Sequence, residues 1–99
     1  MNPDQKITAV VVTFNRKELL LECINAILEQ SYRVDKILII DNASTDGSEK
    51  YLKEYGVLNR GNIEYRTLAQ NVGGAGGFYE GIKQAYEQGS DWLWIMDDD

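Results

Sequence analysis

The 99-residue chain has no histidine, a single cysteine and a single proline. Without histidine it supplies no imidazole base and no His-ligated zinc. Cys23 alone excludes an internal disulfide and a cysteine-based metal site. Positive charge is also scarce: ten Lys and Arg stand against sixteen Asp and Glu, a net charge of −6. That excludes a domain whose affinity rests on neutralising nucleic-acid phosphates. Long apolar runs are missing too. The longest are short segments such as Ala9–Val12 and Leu93–Met96, far below the roughly 20 residues that span a bilayer. Lys6 leads into strand-like residues with no small-residue cleavage site, so no signal peptide is expected. A cytoplasmic protein is the expectation, with the inner face of the membrane as the alternative for a longer parent protein. What remains is ordinary globular composition, 43% hydrophobic and 26% charged. The length suits one domain or part of one.

Residues 7–14 read Ile-Thr-Ala-Val-Val-Val-Thr-Phe, a β-branched run that suits a strand buried on both faces. Asn15 with Glu18 has the spacing of a helix N-cap and its capping-box partner. Leu19/Leu20, Cys23/Ile24 and Ile27/Leu28 then recur four apart, predicting a helix over 16–30. A second strand, Lys36–Asp41, ends in a carboxylate. The turn residues 42–47 lead into a short helix over 46–55 with Tyr51, Leu52 and Tyr55 as its apolar side. Asn62–Arg66 reads as a third strand. Residues 70–77 form a glycine-rich loop opening a helix whose core face is expected at Phe78, Ile82, Ala85 and Tyr86, with Gly89 as its C-cap. Asp91–Met96 is a fourth strand, followed by Asp97-Asp98-Asp99. This βαβαβαβ order predicts a parallel α/β sheet with right-handed crossovers and helices on both faces.

Ligands bind open parallel sheets beyond the carboxyl ends of the strands. There the chain places Thr13 to Arg16, Asp41 to Asp46, the glycine loop and the three aspartates. In an extended strand Asp97 and Asp99 project to one side, about 6.5–7 Å apart, and Asp98 to the other. Adjacent carboxylates repel unless a cation is present. Oxygen-only ligands favour Mg²⁺, Mn²⁺ or Ca²⁺, with Mg²⁺ content with one or two carboxylates plus substrate phosphates. The bland alternative is a solvated acidic run. The glycine loop allows either anion binding at a helix N-terminus or a tight turn with close backbone approach. It lacks the Gly-Lys-Ser/Thr of a P-loop and the spacing of a dinucleotide fingerprint. Asp41 stands where open α/β sheets read a nucleoside. It would otherwise cap the next helix or pair with Lys36 or Arg16. Arg16 is either a helix-face arginine or a neighbour of phosphate or the acidic cluster. Trp92 and Trp94 suit core or interface.

Four strings occur in order: Val-Val-Thr-Phe-Asn-Arg, Ile-Ile-Asp-Asn-Ala-Ser-Thr-Asp-Gly, Asn-Val-Gly-Gly-Ala-Gly-Gly-Phe and Trp-Ile-Met-Asp-Asp-Asp. Together they strongly resemble the family-2 inverting glycosyltransferases of the GT-A fold, most of all the rhamnosyltransferase and galactofuranosyltransferase branches. The resemblance implies the Rossmann-like, three-layer α/β/α half of that fold, with strand order 3-2-1-4. It implies a metal-dependent, inverting transfer from a UDP- or TDP-sugar to a glycan or lipid-linked acceptor, as in cell-wall or other polysaccharide biosynthesis. Thr13 would lie beside the nucleobase, which Asp41 would hydrogen-bond. Asn71 and the loop from Gly73 and Gly74 to Gly77 would sit near the ribose and pyrophosphate. The aspartates match the family's D-x-D motif. One of Asp97 and Asp98 would contact the ribose, while Asp99, with Asp97, would hold Mn²⁺ or Mg²⁺ on the donor diphosphate.

The family's catalytic base and acceptor site follow the D-x-D motif, so no catalytic residue is assigned within 1–99 and the base is expected beyond Asp99. Residues 1–99 are therefore expected to form one truncated donor-binding domain without transferase activity of its own, from an active parent. An uncovered strand-four edge and face also predict a homo-oligomer of this chain, with Asp97–Asp99 poorly ordered without ligand. Two alternatives remain open: a nucleotide-binding or structural α/β module without catalysis, and a sugar-nucleotide pyrophosphorylase. The latter would carry a glycine-rich, Arg-containing loop after strand one, where this chain has Thr-Phe-Asn-Arg.

Overall fold

The β-branched run expected as a buried strand is one along its whole length: β1 (Ile7–Thr13) lies in the middle of a sheet with every residue buried. The computed structural model describes residues 4–30 and 33–98. Strands β2 (Lys36–Asp41) and β4 (Trp92–Asp97) flank β1, and β3 (Ile63–Thr67) pairs with the far side of β2. All neighbours are parallel and the order is β3-β2-β1-β4, as expected. The crossovers carry α1 (Lys17–Glu29), α2 (Ser48–Glu54) with a 3-10 turn at Val57–Asn59, and α3 (Gly73–Glu87).

Side-chain alternation divides the core into two layers. Ala9, Val11, Ile37 and Ile39 face Leu20, Ile24 and Ile27 of α1 and Leu52 of α2. Val10, Val12, Leu38 and Ile40 face α3 through Ala85 and Phe78. The register sets Thr13 level with Asp41, Asp41 level with Thr67, and Val12 level with Asp97. The carboxyl ends of all four strands therefore form one rim. On the outer side of β4 no further strand pairs among the described residues, and Trp92 and Ile95 stand about half exposed there. No helix among the described residues is long and apolar enough to cross a membrane.

Three local expectations are corrected. Asn15 does not cap α1: the N-cap residue is Arg16, whose side chain makes no capping bond, and the first helical amide, that of Lys17, donates to Asp46 Oδ2 at 3.2 Å. Asn15 instead adopts a left-handed φ of 52°. Its Oδ1 accepts from the Thr45 amide at 2.7 Å, and its own amide donates to Ser44 Oγ at 2.8 Å. The side chain is spent on stitching the β1–α1 turn to the β2–α2 turn, so it cannot also serve the helix. In α2 only Leu52 of the expected apolar side is fully buried. Tyr55 is exposed and stacks at a tilt on Tyr51, with ring centroids 4.8 Å apart.

The third correction concerns α3. Its sheet-facing residues are Gly77, Gly81 and Ala85, while Ile82 is partly and Tyr86 largely exposed, at 37% and 78%. The glycines let the helix backbone descend onto β1. A Cβ at Gly81 would stand 2.4 Å from Val10 Cγ1, and one at Gly77 would stand 2.7 Å from Val12 Cγ1. With the backbone this close, Ile82 and Tyr86 have no room beneath the helix and point outward, while Ala85 and Phe78 do pack on this layer as expected. Gly89 does end the helix in a left-handed conformation, φ 86°, its amide donating to Tyr86 O.

A polar knot closes the amino-terminal end of the sheet. Lys36 Nζ donates to Glu64 Oε1 at 2.6 Å, Arg66 Nε to Glu64 Oε2 at 2.6 Å, and Gln88 Nε2 to Glu64 Oε1 at 3.1 Å. The Lys36 bond first, and Arg66 second, lower the Glu64 carboxyl from 4.5 to about 2. A depressed carboxyl stabilises the fold fully above its unfolded value and loses that contribution as the pH falls through its folded value. Between pH 4.5 and pH 2 the urea midpoint should accordingly fall more steeply in the natural chain than in Glu64→Gln. Parallel curves would show that the knot carries no linkage.

Candidate functional site

The rim opens as two adjacent hollows. The first, about 270 Å³, brings together Thr13, Asn71, Gly73, Gly74, Asp97 and Asp98, the residues singled out from three separate segments. Asp41 is not among them. It borders a second hollow of about 390 Å³ with Ser44, Ser48 and Thr67. Asp99 lies outside the described residues.

The two described aspartates of the acidic run are not equivalent. Strand alternation turns Asp98 inward, where it is 5% exposed. Its Oδ2 accepts from Thr13 Oγ1 at 2.7 Å and its Oδ1 from Arg16 Nη1 at 3.3 Å, an ion pair with a half-exposed arginine. Of the two readings of Arg16, the one beside the acidic cluster holds. Asp97 faces outward and is exposed. Its carboxylate has no hydrogen-bond or ion-pair partner among the described residues, although its carbonyl oxygen accepts a weak bond from Cys23 Sγ at 3.7 Å. Burial, and then the charge of Asp98, push the Cys23 thiol up to about 11, so it is no nucleophile near neutral pH. Among the described residues no three His, Cys, Asp or Glu side chains are grouped to hold a metal.

The glycine run divides between site and core. Gly73, at φ 80°, needs the left-handed freedom to enter α3, and a side chain at Gly74 would meet open space. Gly76 and Gly77 already lie inside the helix, and Gly77 packs on Val12. Of the stretch expected near the ribose and pyrophosphate, only Gly73 and Gly74 line the hollow. Asn71 Oδ1 accepts from the Gly73 amide at 2.8 Å. Sequence reasoning put Asn42 in the turn at the ligand edge but gave it no role. It is buried, its Nδ2 donates to Gly73 O at 3.0 Å, and its Oδ1 accepts from the Val72 amide at 3.2 Å. Asn42 thus fixes the loop that carries the start of α3.

Asp41 is buried at 3% exposure, without a cation among the described residues. Its Oδ1 accepts from the Ser44 amide at 2.9 Å and its Oδ2 from Tyr65 Oη at 2.5 Å. None of the structural alternatives, the helix cap or the pairs with Lys36 and Arg16, is what the structure shows. Tyr65, another residue sequence reasoning passed over, is held far above the ordinary phenol value, first by burial and then by the bond to Asp41.

Known proteins resemble this chain. The galactofuranosyltransferase GlfT1 of Mycolicibacterium smegmatis is 33% identical over 99 residues, 100% of this chain and 32% of the relative. The abequosyltransferase RfbV of Salmonella typhimurium is 35% identical over 95 residues, 94% of this chain and 28% of the relative. The chain thus spans about a third of the length of these curated relatives. Among solved structures, the mannosyltransferase PcManGT from Pyrobaculum calidifontis, in complex with GDP-Man and Mn²⁺, superposes with a TM-score of 0.75 at 23% identity, covering 99% of this chain and 29% of that one. S. aureus TarS in complex with UDP-GlcNAc gives 0.78 at 23% identity, over 96% of this chain and 27% of that one. These likenesses establish the GT-A glycosyltransferase fold for the sheet. The sequence profile of glycosyl transferase family 2 matches residues 8–99, a span that takes in both hollows and all four motifs, and the chain belongs to that family.

Proposed function

We propose that this chain is the donor-binding part of a metal-dependent, inverting glycosyltransferase that moves a sugar from a UDP- or TDP-sugar to a glycan or lipid-linked acceptor in polysaccharide or cell-wall synthesis. The observation that carries this reading is the first hollow. Asp97, an exposed carboxylate without a partner among the described residues, lines it together with Thr13, Asn71 and the start of α3. The neighbours bound to GDP-Man with Mn²⁺ and to UDP-GlcNAc support a nucleotide-sugar donor.

In this reading Thr13 lies beside the base and Asp41 accepts from it. Asn71, Gly73 and Gly74 approach the ribose and diphosphate, toward which the helix N-terminus directs its positive end. Asp98 has both oxygens engaged by Thr13 and Arg16. It reaches the donor through those partners and the ribose-facing rim, and is not free to ligate a cation. That role falls to Asp97 with Asp99. Two carboxylates are few, but Mg²⁺ and Mn²⁺ sites are commonly completed by substrate phosphates. A bound divalent ion would neutralise the charge that develops on the leaving nucleoside diphosphate. The base that deprotonates the acceptor, and the acceptor site, are assigned to sequence outside residues 1–99. The whole protein is placed at the cytoplasmic face of the membrane.

Titration calorimetry with UDP tests this. Binding with Mn²⁺ that weakens at least about tenfold in EDTA is the expected result. Absence of binding in either condition would overturn the donor-site reading in favour of a structural α/β module.

A further inference from the structure

Asp41 is a buried carboxylate whose charge no cation offsets among the described residues. Lys50 and Lys53 line the same hollow but neither stands within ion-pair distance of it. A carboxylate taken out of water needs hydrogen-bond donors in its place. Two supply that here. The Ser44 amide holds Oδ1 and the Tyr65 hydroxyl holds Oδ2, one on each oxygen. The Ser44 bond is local, three residues along the chain. The Tyr65 bond comes from another strand, two residues before Thr67, which stands level with Asp41 across the sheet. Torsion of a carboxylate about χ2 is soft, so donors on both oxygens are what fix its plane. An ionised carboxylate has about four lone-pair sites, and these two bonds leave acceptor capacity toward the hollow. Tyr65 contributes no aromatic stacking there. Its ring is spent in the core layer beneath α1 and α2, and only its hydroxyl reaches the rim.

We infer that Tyr65 is the positioning residue that orients the Asp41 carboxylate as an acceptor, so that the site takes a base presenting an imide N–H, such as uracil, over one presenting a ring-nitrogen acceptor at that place, such as cytosine. The inference rests on the reading that Asp41 faces the base. A base edge that donates is matched by the carboxylate. Cytosine N3 meets a second acceptor, and lone pair faces lone pair. A site built to hydrogen-bond one group rejects the analogue that lacks it, because its own buried polar atom is then left unpaired.

Calorimetry with UDP and CDP in the presence of Mn²⁺ tests the inference, since the two ligands share ribose and diphosphate. The natural chain should prefer UDP. Tyr65→Phe removes one oxygen atom and should weaken UDP by about tenfold, the scale of one charge-assisted hydrogen bond, while CDP changes less than about twofold. Asp41→Asn should also weaken UDP selectively, and adding Tyr65→Phe to it should cost nothing more. Equal losses for UDP and CDP in Tyr65→Phe would mark Tyr65 as structural and overturn the inference. So would unchanged UDP binding in that variant while Asp41→Asn loses it, which leaves the Asp41 reading standing. Unchanged UDP binding in Asp41→Asn would remove that reading and this inference together. Circular dichroism checks folding of each variant. Should Tyr65→Phe not fold, the Tyr65 hydroxyl proton of the natural chain, followed by proton NMR, should move on adding UDP and stay in place with CDP. A proton that responds to neither, or to both alike, would overturn the inference.

Discussion

Gly81→Ala will destabilise the chain by about 2 kcal/mol, even though alanine is the better helix former. The new Cβ would stand 2.4 Å from Val10 Cγ1 and 3.1 Å from Ile40 Cγ1. Both neighbours are fully buried in the centre of the sheet, and β-branched side chains have little freedom at χ1 to move aside. Overpacking of this kind costs about 1–3 kcal/mol and more where the backbone must shift, against the ~1 kcal/mol that glycine gives up in a helix. The loss is a large share of the roughly 5–15 kcal/mol that holds a domain together. Gly74→Ala is the matched control. It lies in the same helix with nothing within 4 Å of its would-be Cβ, and should be neutral or slightly stabilising. Urea denaturation of the two variants gives the comparison. Equal midpoints would mean that α3 does not rest on β1 as described.

A second large effect separates neighbours in the acidic run. Asp97→Ala should abolish the Mn²⁺-dependent part of UDP binding, a loss of about tenfold or more that matches the loss in EDTA. It should leave the urea midpoint unchanged or slightly raised, because that carboxylate has no partner among the described residues and stands beside like charges. Asp98→Ala should do the reverse in stability. It removes the acceptor of buried Thr13 Oγ1 and one acceptor of Arg16, and a lost charge-assisted bond with the Thr13 hydroxyl left unpaired costs about 1–3 kcal/mol. Calorimetry and denaturation on the same two proteins decide it. A stability loss at Asp97 as large as that at Asp98 would show that both are structural.

Much of this arrangement was legible in the sequence, and the exceptions have physical reasons. The strands were readable because β-branched runs buried on both faces leave few alternatives, and the chain alternates them with helices. The resemblance supplied the order 3-2-1-4. Thr13, Asn71 and the aspartates were legible as strand-end and loop residues at the rim. The α3 face was misread because a glycine has no side chain to register as apolar, although Gly77 and Gly81 stand four apart with Ala85 next in the series, a small-residue stripe that periodicity of hydrophobics overlooks. Asn15 was misassigned because a capping box is a local pattern, and its real partners, Ser44 and Thr45, lie in another turn. Asn42 and Tyr65 act through contacts with chain segments distant in sequence, so nothing in their immediate neighbourhood marks them.

Gly77 joins two properties that are usually tuned apart. The atoms its missing Cβ would strike are Val12 Cγ1 and Asn42 Nδ2. Val12 and Asn42 both line the first hollow, and Asn42 carries the backbone of Val72 and Gly73. The clearance between helix and sheet at this one position is therefore also a spacer that fixes the height of the α3 tip above the strand ends. Within this architecture the depth of the first hollow is metered by a hydrogen atom: any larger group there would press on Val12 and Asn42 together, changing the room in the hollow without replacing a residue that lines it.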